Sequence, residues 1–325
     1  MKLTKKPTAI KNDICIKGER TTCGSKMLDN FVPPYNATVA DKLTAAGFTL
    51  NPGRQMDENS SADYDLALCS DHNGLARRLA TANKLIALKP TYGSVSRYGL
   101  ITPAPSLDQI TPIGKTVRDV AELYNIICGA DEKDSTTIER DYPDFTADDE
   151  AIAHLYKIGA VVGTRCAAFL SPIKINLPSA EHALTAFQII ACAEGFSNLA
   201  RYDGIKFGYR SDNAATLAEL YENTRAEGFG EWTKKSIILG AIALSKQYRH
   251  QYYDRAIRAR AQITAELNTA FEQCDIIIAP LDETWSVIPN LTGCPSITIG
   301  GIQLIGPKFS EEMLFRVATE VEKNA

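Results

Sequence analysis

The stretch Ile263-Thr264-Ala265-Glu266-Leu267-Asn268-Thr269-Ala270-Phe271-Glu272-Gln273-Cys274-Asp275-Ile276-Ile277-Ile278-Ala279-Pro280 decides the fold class. Ile263, Leu267, Ala270 and Phe271 recur at i, i+4, i+7 and i+8, one face of a helix that the pattern extends back to Tyr248 and ends at Asp275. The apolar run Ile276 to Ala279 then has no alternation and is stopped by Pro280, as expected of a strand covered on both sides. A long helix feeding such a strand predicts an α/β protein, a sheet covered by helices.

Working outward, Ala9 to Ile16 reads as a strand ending at the Lys17-Gly18 turn, and Thr38 to Ala46 as a helix stopped by Gly47. Thr116-Val117-Arg118-Asp119 opens a helix through Ile127, and Ser179 reads as the cap of an apolar helix reaching about Ala200. Asn51 to Asp65, with Pro52 and Gly53, reads as a loop. The acidic connection Asp131 to Asp149 is the one internal boundary candidate in what is otherwise a single domain over residues 1–325.

Of 325 residues 45% are hydrophobic and 23% charged, a composition that builds an ordinary core. The net charge of -4 argues against nucleic-acid binding by this chain itself, which needs a basic face. No apolar run is long enough for a bilayer and no signal core follows Met1, which predicts a cytoplasmic protein with no membrane partner. The eight cysteines form no C-x-x-C pair and the four histidines no H-E-x-x-H, so no metal site is predicted. Gly114-Lys115-Thr116 lacks the upstream glycine of a phosphate loop, Gln109 standing there, and reads as a helix start. Arg97-Tyr98 and Arg201-Tyr202 read as packing units rather than an RNA stacking platform.

Several motifs together resemble the amidase signature family, and within it the A subunits of glutamyl-tRNA(Gln) amidotransferases. They are Ala9-Ile10-Lys11-Asn12-Asp13-Ile14, Arg20-Thr21-Thr22-Cys23-Gly24-Ser25-Lys26, Leu88-Lys89-Pro90-Thr91-Tyr92-Gly93, Ser106-Leu107-Asp108-Gln109-Ile110, Asn198-Leu199-Ala200-Arg201-Tyr202-Asp203-Gly204 and Thr224-Arg225-Ala226-Glu227-Gly228-Phe229-Gly230. The resemblance implies an amidase-signature fold, α/β with a mixed central sheet covered by helices on both faces, and a serine, cis-serine, lysine triad, in which a neutral lysine draws a proton through the bridging serine and the second serine attacks an amide carbonyl. Lys11 takes the lysine position, with the usual Lys-Asp-Asn order changed to Lys11-Asn12-Asp13, and burial is expected to lower its pKa.

The glycine-serine loop that supplies the bridging serine has no counterpart, and Ser60 or Ser61 is its nearest stand-in. Where the family reads Ser-Asp-Thr-Gly-Gly-Ser, this chain reads Ser70-Asp71-His72-Asn73-Gly74-Leu75, which puts Leu75 at the nucleophile position. His72 reads as a structural residue in an Asn-Gly turn rather than a replacement base. Ser70 and Asp71 belong to the substrate-binding set, along with Arg225, a fork for glutamine's carboxylate, and Glu283, where the family has aspartate. A chain that starts near the lysine strand and lacks internal stretches is expected to be a deletion-bearing relative.

The function implied is glutamine hydrolysis to supply ammonia for transamidation of Glu-tRNA(Gln), with B and C subunits as partners, tRNA held by B, and ATP and magnesium on the partner side rather than here. The alternative is a catalytically inactive relative, a scaffold or ligand-binding chain, because of Leu75 and the missing serine loop.

Overall fold

The computed structural model describes residues 7–56, 63–147, 156–161 and 172–324. Ten strands form one mixed sheet in the order β2-β1-β3-β5-β4-β9-β10-β8-β6-β7. They are β1 (Thr8–Lys11), β2 (Leu50–Arg54), β3 (Leu66–Ser70), β4 (Ile86–Lys89), β5 (Ile110–Gly114), β6 (Ile158–Val161), β7 (Ile173–Ile175), β8 (Ile276–Ala279), β9 (Ser296–Ile299) and β10 (Ile302–Ile305). Pairing is parallel at both ends, β2-β1-β3 and β8-β6-β7, and antiparallel through the middle.

Successive strand residues go to opposite faces, so the sheet has two cores. Leu66, Leu68, Ile276 and Ile278 pack with helices α1 (Thr38–Ala45), α3 (Val117–Ile127) and α10 (Glu311–Lys323). On the other face Ala67 and Cys69 meet α2 (Leu75–Ala82). There Ile277 and Ala279 meet α4 (Ala183–Leu199) and α7 (Tyr253–Phe271). The expected mixed sheet with helices on both faces is the fold observed.

Local chemistry accounts for the boundaries. Thr116 and Asp119 form a reciprocal capping box at α3, each side chain accepting the other's backbone N–H at 3.1 Å, which fixes that start by about 1 kcal/mol. Four expectations shift, the first being the strand read over Ala9 to Ile16, which ends at Lys11 where Asn12 and Asp13 turn. Asn51 to Arg54, read as loop, belongs to the edge strand β2, where a proline, which has no N–H to donate, is tolerated because one side has no neighbouring strand. Ser179 lies in a 3-10 turn, Pro178–His182, and donates to Glu266 on α7 (2.6 Å) instead of capping α4. The helix expected from Tyr248 starts at Tyr253, after a hydrogen-bonded turn in which Arg249 N–H reaches Ser245 O.

Beyond α4 lie α5 (Leu217–Gly228) and α6 (Glu231–Leu244), and the short helices α8 (Glu283–Ser286) and α9 (Ile288–Thr292) run between β8 and β9. The segment from Asp131 is tied to the body: Asp131 accepts from Thr38 (2.6 Å) and Ser96 (2.5 Å), Asp134 from the Arg97 N–H (2.8 Å), and Phe145 packs on Tyr124.

Candidate active site

Lys11 ends β1 and Ser70 ends the neighbouring parallel strand β3, so the sheet register alone brings them together across 59 residues. Lys11 Nζ donates to Ser70 Oγ at 2.6 Å, Ser70 Oγ donates to Asp13 Oδ2 at 2.6 Å, and Lys11 pairs with Asp13 at 2.9 Å. The three groups close a largely buried triangle. Burial works against the Lys11 charge, but the Cys69 sulfur and then Asp13, by charge and hydrogen bond, outweigh it and hold the ammonium above its ordinary range. Cys69 is itself kept as a thiol, pushed up to about 12 by burial, so at neutral pH the charge that matters is Asp13. The expected lowering of Lys11 is therefore not found. The Asn12-Asp13 order sets a carboxylate against the ammonium.

Next to this triangle stands a second buried cluster. Arg77, on α2, donates to Asp71 Oδ2 (2.6 Å), Ser286 O (2.5 Å), Asn290 Oδ1 (2.7 Å) and Gln303 Oε1. Asn290 in turn donates to the carbonyls of Asp71 and Leu107, and the Asp71 N–H reaches Asp108 Oδ1 at 3.1 Å. Burial raises the Asp108 carboxyl above the usual range, against the pull of His72 and Thr102. This network clamps the strand end Ser70-Asp71, the start of α2 and helices α8 and α9 into one rigid unit.

Leu75 is the first residue of α2 and its side chain packs on the cluster around Ala76 and Leu79. The preceding turn needs a glycine twice over: Gly74 has φ +79°, and a Cβ there would run into the Ser286 side chain. His72 stacks on Phe187 with ring centroids 6.3 Å apart, a packing role as expected. Ser60 and Ser61 lie outside the described residues.

Arg225 and Glu283 do not join the Lys11 set by any hydrogen bond or ion pair among the described residues. Arg225 lies between Tyr221 and Phe229 and donates to the carbonyls of Leu199 (2.8 Å) and Tyr202 (3.1 Å), satisfying the end of α4. Glu283 is exposed in the first turn of α8, which Ser286 holds against α2.

A cleft of about 840 Å³ is lined by Cys23, Tyr35, Arg97, Tyr98, Lys133, Arg201, Tyr202 and Phe229 among others, and neither Lys11, Asp13 nor Ser70 lines it. Its floor is continuous with the lysine strand: the Cys23 N–H donates to Asn12 O (2.9 Å) and the Ile101 N–H to Asp13 O (2.8 Å). Arg97 lies over Tyr92, Tyr98 packs on Tyr35 and Tyr202 on Phe229, so the Arg-Tyr pairs are packing units that wall this cleft. No cluster of metal-ligating side chains occurs among the described residues. No helix among them is long and apolar enough to cross a membrane.

Lys89, beneath Arg77, is fully buried and donates to the Pro90 carbonyl (2.8 Å). Burial first, then Arg77, lowers its pKa from 10.5 to about 7. Between those two values the unfolded chain binds a proton that the folded chain does not. Stability should therefore rise with pH across the window, by up to roughly 1.4 kcal/mol per pH unit. Lys89→Met should flatten that rise in urea unfolding compared at pH 7 and pH 9, and equal slopes for the two proteins would refute it.

The family model described as Amidase matches residues 3–62, 60–168 and 167–287. The chain is 34% identical to the glutamyl-tRNA(Gln) amidotransferase A subunit of Heliobacterium modesticaldum, covering 98% of this chain and 82% of that one. It is 35% identical to the second such A subunit of Clostridium acetobutylicum, covering 98% and 84%. The first alignment runs over 410 positions against 325 residues here, so the relatives hold stretches this chain omits. The crystal structure of the Thermotoga maritima A subunit of the same enzyme superposes with a TM-score of 0.78 at 29% identity over 98% of this chain and 83% of that one. The peptide amidase of Stenotrophomonas maltophilia does so with 0.78 at 20% identity over 98% and 82%, which shows the shared fold. With its lysine strand, its Ser70-Asp71 strand end and this extent of likeness, the chain belongs to the amidase family.

Proposed function

We propose that the chain serves as the A subunit of a glutamyl-tRNA(Gln) amidotransferase, hydrolysing glutamine and releasing ammonia for transamidation. The observation that carries this reading is the likeness to such subunits along 98% of the chain. In it Lys11 and Ser70 hold the family's lysine region, Asp71 fixes the strand end through Arg77, and Arg225 and Glu283 keep the motif positions for the glutamine head group. The setting is the cytoplasm, with B and C subunits as partners. tRNA, ATP and magnesium belong to the partner side.

One feature favours a second reading, binding without turnover: Leu75 fills the nucleophile position with a side chain that forms no acyl intermediate. Ammonia release from glutamine, measured for the chain alone and with the B and C subunits, separates the two. Under the first reading turnover appears and Lys11→Ala abolishes it, and Ser60, Ser61 and Ser70 are then substituted in turn to find the attacking hydroxyl. No turnover, with glutamine still raising the Tm, leaves the second.

A further inference from the structure

The turn between Ser70 and α2 holds a dipeptide that glutamine hydrolysis does not use. Asn73 is the only asparagine of the chain that is followed by glycine. The pair suits a turn because glycine takes positive φ freely, as Gly74 does at +79°. It is also the pair in which asparagine, a thermolabile side chain, is most open to its own main chain, because glycine has no Cβ to shield the backbone nitrogen from the amide before it.

The fold leaves this pair open to reaction. Asn73 is part-exposed, so water reaches it. The Gly74 N–H and the Asn73 Nδ2 have no hydrogen-bond partner among the described residues, so neither nitrogen is tied down. Asn73 Oδ1, by contrast, accepts the Leu75 N–H at 3.0 Å. That donor draws electron density from Cγ and is placed to hold the negative charge that gathers on Oδ1 when a nucleophile adds to that carbon.

We propose that Asn73 is a site of spontaneous covalent modification, in which the Gly74 nitrogen closes on the Asn73 side chain and the main chain is rerouted through it. The Gly74 nitrogen bonds to Asn73 Cγ and gives up its proton, the Cγ–Nδ2 bond breaks, and Nδ2 leaves with that proton as ammonia. Water then opens the resulting five-membered imide. Opening at the side-chain carbonyl gives aspartate, and opening at the main-chain carbonyl gives isoaspartate, whose backbone is longer by a methylene.

The two products act in opposite directions. Aspartate sets a carboxylate beside the Leu75 N–H at the start of α2, where negative charge is favourable. Isoaspartate does not fit. Gly74 lies so close to Ser286 that a Cβ would run into it, and the Asn73 carbonyl accepts from Arg78 (2.9 Å), which also donates to Ser286 Oγ (2.7 Å). A longer backbone there pushes the turn off α8.

The test keeps the full-length chain in mildly alkaline buffer, folded or unfolded in guanidinium. Asn73 is followed by peptide mapping, and isoaspartate is counted by enzymatic methylation of its carboxylate. The folded chain should convert Asn73 ahead of every other asparagine and at least as fast as the unfolded chain does. Asn73→Gln should slow conversion at this position by roughly tenfold or more, since its imide ring is six-membered and closes less readily. The aged chain should show a second, lower Tm that grows with the isoaspartate count, while Asn73→Asp keeps the wild-type Tm or exceeds it. A folded chain that keeps Asn73 while the unfolded chain loses it overturns the proposal, because the fold then protects the pair. An aged chain rich in isoaspartate with an unchanged Tm overturns the clash with α8. The ammonia released is at most one per chain and needs no glutamine, so the outcome is independent of the glutamine assay.

Discussion

Arg77→Met should lower the unfolding free energy by about 3–5 kcal/mol, the cost of breaking a fully buried ion pair from one side. Both side chains of the Arg77-Asp71 pair are wholly inaccessible. Methionine fills much of the same volume, so the loss is not mainly a cavity. It strands the Asp71 carboxylate, whose Oδ1 already has no hydrogen-bond partner, and frees the acceptors of Ser286, Asn290 and Gln303 as well. Urea unfolding at pH 7 measures this directly. Arg77→Lys should recover only part of the loss, since one ammonium cannot reach acceptors that a guanidinium fork spans in two directions. A loss under about 1 kcal/mol, the size of an ordinary surface pair, would mean that the cluster is not a clamp.

The second large effect is a change of sign. In the wild-type protein Lys11 is held above its unfolded pKa of 10.5. Its pair with Asp13 thus stabilises fully below pH 10.5 and is lost as pH rises through the folded value. Asp13→Asn removes the partner and keeps the burial, so Lys11 drops below 10.5 and its contribution should instead rise with pH up to that point. At neutral pH the variant should be less stable by about 2–3 kcal/mol, under the fully buried limit because both side chains keep some contact with water. Unfolding at pH 7 and pH 10 checks both the loss and its direction, and parallel profiles for the two proteins would refute it. Under the binding-only reading, Leu75→Ser alone should leave ammonia release at the wild-type level, because the new hydroxyl would find Lys11 paired with Asp13 as an ammonium that takes no proton from it.

The strand Ile276–Ala279 and the helix opened by Thr116 were legible because their signals are local, an unbroken apolar run and a cap three residues from its partner. The edge strand β2 was not, since Pro52 and Gly53 speak for a loop and only its neighbour β1 makes it a strand. In the site, Lys11 stands out by its motif, but exchange of two adjacent residues gives no hint that Asp13 would close on the amine. That contact depends on Ser70 arriving from 59 residues away. The partners of Arg77 were equally invisible: Ser286, Asn290 and Gln303 are more than 200 residues distant and have no period or spacing in common with it. Arg225 shows the converse, a motif position whose side chain the structure gives to the carbonyls ending α4.

The order of the strands also has a meaning in time. β9 and β10, which follow the other eight described strands in the sequence, lie in the middle of the sheet between β4 and β8. A nascent chain stopped before Ser296 therefore holds two separate pieces, β2-β1-β3-β5-β4 and β8-β6-β7, each with an open edge where the seam belongs. Such a chain cannot fold one end at a time during synthesis. It must wait for β9 and β10, and until both leave the ribosome its two unsealed edges stay open to wrong pairing.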